Sequence, residues 1–359
     1  MSTPTLRSRP LFGAAMVCSF AASALAQTTV VLPCVADNTL YEDPTGSLSN
    51  AKGIGVFVGL TGLDVATRAV LRFDVAATIP AGATIVSARL TLEAMQSNYF
   101  GTLDVTGHRV LASWGEGSSF ASAGGGGGGP STTGDATWIH RFYPSTFWTS
   151  PGGDFAPASF VIATPPFGLV SSPSGPATVA DVQFWLDNPA QDFGWLLQSN
   201  EALLSPTARR FASREATIGQ KPSLTVSYLL PGDIGVWGTG CPTAFGTLTT
   251  AWGGPMIGGT SVPLLHTNAP PASIGINYFA LDLYQPGGLI QPSCNLYLPI
   301  TQSWIPGEIF LTDGAGVGSP INWPVPSIYP GLYFVTQSAV LDSSPFGLAL
   351  SNAGVAVIQ

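Results

Sequence analysis

The sequence predicts an all-β protein built from two β domains in tandem, and three observations carry that expectation. Charged residues make up only 9% of the 359-residue chain, while Gly (43) and Pro (31) are abundant and 45% of positions are hydrophobic. That profile belongs to short strands joined by turns, not to helices or to disorder. Runs that alternate apolar and polar residues recur along the chain, the pattern of strands with one buried face. The basic residues also stop abruptly. Residues 231–359 contain no Lys or Arg, against Asp233, Asp282, Glu308, Asp313 and Asp342.

The elements follow in chain order. Arg7 and Arg9 precede an uncharged apolar run from Leu11 to Leu25, and Ala24-Leu25-Ala26 supplies the small residues of a signal-peptidase site. Residues 1–26 therefore read as a cleaved signal peptide, the mature chain starts at Gln27, and the expected location is secreted or at the cell surface. The run is shorter than the roughly 20 residues that cross a bilayer, and nothing downstream repeats it, so no transmembrane segment is expected in the mature chain. Cys18 lies inside the run, away from any cleavage site, which excludes a lipoprotein.

Strand signals come next. Residues 69–75 set Leu71, Phe73 and Val75 against Val70, Arg72 and Asp74, and residues 88–94 set Leu90 and Leu92 against Arg89, Thr91 and Glu93. Ile79-Pro80-Ala81-Gly82-Ala83 between them is a turn. Gly124 to Gly129 form neither element and read as a flexible surface loop; no Lys-Ser/Thr ending makes them a phosphate loop. A last strand over residues 221–229 ends at Pro231-Gly232-Asp233, which places the linker at residues 230–236 and the domains at 27–230 and 231–359.

Several segments then carry a family resemblance. Ala36-Asp37-Asn38-Thr39-Leu40, Arg68 to Asp74, Ile79 to Ala83, Ser87 to Leu92, Asp135 to Trp138, Gly152 to Phe155, Val182 to Leu186, Gly194 to Leu197, Arg210 to Glu215 and Lys221 to Val226 together resemble the DNRLRE domain. The resemblance covers roughly residues 30–229. It implies a secreted bacterial β jelly-roll sandwich akin to carbohydrate-binding modules, some of which hold acidic polysaccharide. Gly238 to Pro242, Gly254 to Gly258 and Gly347 to Ala353 resemble a C-terminal β module of secreted bacterial proteins, which implies a second, smaller sandwich and no chemistry.

Cys34, Cys241 and Cys294 remain in the mature chain. Cys241 and Cys294 share the second domain and are expected to bond, which leaves Cys34 as a buried thiol, with an intermolecular link as the alternative. Three cysteines and three histidines so scattered make no zinc site.

The net charge of −8 and the lack of a basic patch argue against nucleic acid as a partner. Catalysis has thin support, because no Gly-x-Ser-x-Gly elbow is present and the nearest polar set is His140, Arg141 and Tyr143. Binding is better supported. Sugar sites combine aromatic platforms with planar donors, and Trp138, His140, Arg141, Tyr143 and Trp148 gather such groups beside the glycine run. Arg72 and Arg89, on the polar faces of their strands, are candidates for gripping a carboxylate. Asp37, Glu42 and Asp43 form a candidate calcium set, and no other cofactor is expected. The reading is a non-catalytic protein that binds an extracellular or cell-surface glycan through its first domain. A structural or adhesive component is the alternative, and a polysaccharide lyase or glycoside hydrolase stands behind both. No feature fixes the oligomeric state.

Overall fold

The computed structural model describes residues 27–122, 124–201, 206–285, 287–344 and 346–359. The signal-peptide reading of residues 1–26 lies outside them. The described chain is all-β apart from one α-helix and a single 3₁₀ turn.

In the first half two sheets share strands. Residues 28–33 of the long strand Thr28–Tyr41 pair with Ser223–Leu229, and its later residues pair with Ala66–Phe73 after an irregularity between Cys34 and Ala36. The sheet begun by the early part continues through Thr84–Ser97, Arg209–Ala212 and Gly55–Leu60; the one begun by the later part continues through Trp195–Gln198, Leu103–Val110 and Phe155–Thr164. The irregularity lets one strand serve both sheets, as bulges do where a strand must bend. Between the sheets lies one core in which Leu32, Val56, Leu71, Phe73, Leu90, Phe160, Trp195, Leu224 and Val226 are buried.

The helix, Pro176–Asp187, is a departure from the sequence reading. Pro176 opens it in the first turn, where a missing N–H costs nothing. Val182, Trp185 and Leu186 fall on one face and enter the core, with Trp185 4.7 Å from Trp195. In a chain so rich in short strands, one helical stripe is masked by its surroundings.

A second departure decides the candidate site. The long segment 111–155 folds over the outer face of the sheet that holds Ala66–Phe73. Val70, expected on a wet face, is instead buried with Leu40, Val110, Leu196, Trp114, Trp138 and Trp148 in a core of their own.

In the second half, Ile234–Trp237, Leu348–Val357, Tyr333–Leu341, Ile274–Ala280 and Ile305–Leu311 form a five-stranded sheet in that order, and Thr249–Trp252, Ser261–Thr267 and Ile321–Pro324 form a three-stranded one. Trp252, Leu264, Phe310, Phe334 and Ala356 are buried in their common core. Cys241 is bonded to Cys294 and ties the hairpin of Gly288–Gln291 and Cys294–Leu296 to the large sheet, where the Cys241 N–H donates to the Leu350 carbonyl at 2.7 Å. Cys34 is free and buried.

Each sheet of the described residues falls wholly on one side of residues 230–233, and strand pairing resumes at Ile234, earlier than the expected linker end. The halves still touch. Val86 and Leu229 are buried with Leu283, Val335 and Val355, and the Gln285 amide donates to the Val86 carbonyl. Among the described residues no helix is long and apolar enough to cross a membrane.

Candidate functional site

The folded-over segment changes the meaning of the aromatic run. Trp138 is 8% exposed and Trp148 5% exposed, and the Trp148 indole N–H donates to the Thr137 carbonyl at 2.9 Å. Both rings are therefore core, and neither offers a face to a ligand. His140 is also buried, bonded through Nδ1 to Thr137 Oγ1 at 2.9 Å, so it makes no general base for a substrate outside. Arg141 donates to the Phe147 and Ser113 carbonyls. Of the expected platform only half-buried Tyr143 remains near the surface, and it is joined by exposed Phe147, both at the hairpin of His140–Phe142 and Thr146–Phe147.

Beside that hairpin the same segment builds an open groove of about 600 Å³, lined by Arg68, Leu111, Thr149, Ser150, Asp154 and Phe155 among others. Arg68 is its anchor. The guanidinium lies 4.6 Å from the Trp138 ring centre, grips Glu201 through Nε and Nη2 at 2.7 and 2.8 Å, and donates to the Gly152 carbonyl at 2.9 Å. Asp154 accepts the Thr149 and Ser150 N–H groups, which fixes the loop that carries both hydroxyls. Sequence alone gave Arg68, Asp154 and Phe155 no role beyond the family pattern, because their proximity depends on the fold-over.

Arg72 and Arg89 stand on strands of different sheets, each with its neighbours turned into the core, so they form no pair. Arg89 donates to the Ser172 carbonyl, and Arg72 lies near enough to Asp192 to favour its ionised form.

The expected calcium set also comes apart. Asp37 is buried, Glu42 accepts the Ala66 N–H, and Asp43 accepts the N–H and hydroxyl groups of Thr45 and Ser47. Glu42 is five positions on from Asp37, just past the strand's end at Tyr41, and an odd spacing sends the two to opposite faces. Asp37 meets Glu116 and Glu215 instead, with one carboxylate oxygen of each within 4.8 Å of the others. Lys52 and Arg214 already pair with those glutamates, Arg214 Nε reaching Glu116 at 2.7 Å. This is an ion-pair network, with Asp37 beneath it accepting the Arg214 backbone N–H at 2.6 Å, while Asp37 Oδ1 and Glu215 Oε2 are buried without a hydrogen bond.

Burial raises the Asp37 carboxyl to about 8 and Asp192 to about 7, against an ordinary 3.8. Both then hold a proton in the fold that the unfolded chain has lost, so stability falls as pH rises from about 4 to about 8 and levels off above. The melting temperature of the first half should be lower at pH 8.5 than at pH 6.5, and Asp37→Asn should shrink that difference. An unchanged difference in the variant would remove Asp37 as its source.

No family model matches this chain, and no curated protein matches it. One solved structure, a Parabacteroides merdae β-glucuronidase with glycerol in its active site, aligns at 10% identity over 80% of this chain and 27% of that one, with a TM-score of 0.14. The chain spans about a quarter of that enzyme's length, and a score so low carries no argument.

Proposed function

We propose that this chain is an exported, non-catalytic protein that binds extracellular or cell-surface polysaccharide through its first half. The observation that supports this is the groove beside Arg68. A ring at Phe155, a guanidinium, two hydroxyls and a carboxylate line one open surface, and a pyranose with its apolar face and fringe of hydroxyls is recognised by such a set. The histidines give catalysis no exposed base, because all three are buried. His108 is bonded to the Ala156 carbonyl and the Thr106 hydroxyl, His140 to Thr137, and His266 to Asn277 and Ser338.

A structural or adhesive role is the second reading, and one observation favours it. The edge strand Ile305–Leu311 exposes Ile305, Ile309 and Leu311, and an apolar sheet edge invites pairing with another chain. A glycan array probed with the protein recovered from host medium separates the two. We expect retention on a defined saccharide class by a chain whose N-terminus is Gln27; no retention on any saccharide would favour the adhesive role.

A further inference from the structure

The two sheets of the second half do not close on each other along one side. The five-stranded sheet ends there on Ile305–Leu311 and the three-stranded sheet on Ile321–Pro324, and neither strand is paired beyond that edge among the described residues. Between the two free edges lies an open cavity of about 620 Å³. That is the size of a small-molecule site.

Its wall is aromatic. Phe279 and Phe334 come from the large sheet and Trp323 from the small one, with ring centres 6.0 Å apart for Phe279 and Trp323 and 5.1 Å apart for Trp323 and Phe334. Trp252 packs behind them in the core, 5.7 Å from both Trp323 and Phe334, so the wall is held in place. Phe279 and Trp323 are only half-buried, and exposed Tyr329 adds a fourth ring to the lining. A Cβ at Gly307 would meet the Phe279 ring at 2.5 Å. Glycine there lets the edge strand lie directly on that ring.

One charged side chain lines the cavity, and it is acidic. Glu308 is two positions before Phe310, which is buried in the core of this half, so alternation turns it to the inner face of the edge strand. This half contains no Lys or Arg, and no salt bridge among the described residues reaches Glu308. His266, its single histidine, is bonded to Asn277 and Ser338, and burial brings it down to about 4, so it is uncharged at neutral pH. The cavity therefore joins π faces to a carboxylate that nothing neutralises.

We infer that this cavity binds an organic cation with an apolar body, an amine or quaternary ammonium carried on a ring or short chain. The cationic head lies against the ring faces, whose quadrupole attracts it, and Glu308 supplies the counter-charge. The apolar body fills the space between the edges. An anionic head would meet no positive group. A bare calcium ion would find one carboxylate where it takes roughly six to eight oxygens. The site lies in the second half and is independent of the saccharide reading.

The test is calorimetric titration of the chain of residues 27–359 with 4-hydroxyphenyltrimethylammonium, its uncharged isostere 4-tert-butylphenol, 4-hydroxybenzoate and calcium chloride. Saturable binding of the ammonium is expected, and Glu308→Gln should weaken it by about threefold to thirtyfold while leaving 4-tert-butylphenol unaffected. Trp323→Leu should weaken both. Thermal melts establish that each variant is folded, and exposed Glu308 gives a variant that tests the inference even if Trp323→Leu unfolds. Absence of saturable ammonium binding, or equal binding by Glu308→Gln, overturns the inference. Affinity for 4-tert-butylphenol or 4-hydroxybenzoate equal to that for the ammonium overturns the cationic class. Calcium binding as tight as the ammonium, with the same loss in Glu308→Gln, overturns the organic ligand and leaves a simple counter-ion site.

Discussion

Reduction of the Cys241–Cys294 bond is expected to lower the melting temperature of the second half by about 10–20 °C and to leave the first half's transition in place. The bond closes a loop with a sequence separation of 53. In the chain-entropy account that restriction of the unfolded state is worth about 4 kcal/mol. The second half has little else of this kind. It carries no Lys or Arg, and every salt bridge among the described residues lies in the first half. Scanning calorimetry with and without reductant reads the effect, and Cys34, unbonded in the fold, provides an internal control. A second transition that does not move would mean that apolar burial alone holds this half. A first transition that moves as far would mean that the contact of Val86 and Leu229 with Leu283, Val335 and Val355 fuses the halves into one cooperative unit.

Trp138→Ala is expected to cost about 3–5 kcal/mol of first-half stability, the range for emptying a buried aromatic site. Trp138 is buried with Leu40, Val70, Leu196 and Trp148, and Arg68 stacks on its ring. Its loss opens a cavity under the groove and removes one support of the Arg68 fork. Denaturant unfolding measures the change. A ligand platform would behave in the opposite way, with affinity lost and stability unchanged, and that result would restore the reading of Trp138 as a sugar-stacking ring.

The same residue shows where sequence reasoning succeeds and where it stops. Alternation located Ala66–Phe73, Thr84–Ser97 and Ser223–Leu229, because each strand buries every second side chain in the shared core. It failed at Val70, Trp138 and Trp148 because the outer face of one sheet is covered by a segment 111–155 with no regular period to announce it. Asp37 paired in the reading with its sequence neighbours, whereas its actual partner Glu116 is 79 residues away. Arginine content was equally ambiguous. Arg209, Arg210 and Arg214 lie close together in the chain, yet one donates to the Gly101 carbonyl, one has no partner among the described residues and one joins an ion-pair network. Only the placement of strands distinguishes them. The disulfide was legible because two of the cysteines fell together in the second half of the chain.

Saccharide binding by the first half is the central claim, and equilibrium titration reaches it most directly. The chain of residues 27–359 and its Phe155→Ala variant are titrated with the saccharide retained on the array. Phe155 lines the open groove and packs, half-buried, against the core of Leu40, Val70, Trp138 and Leu196, so thermal melts first establish that the variant is folded. Loss of that ring contact is expected to weaken binding by about tenfold, which corresponds to about 1.4 kcal/mol. Undiminished affinity in the folded variant would contradict the placement of the sugar in this groove, and the absence of any saturable binding by the parent would contradict the claim itself.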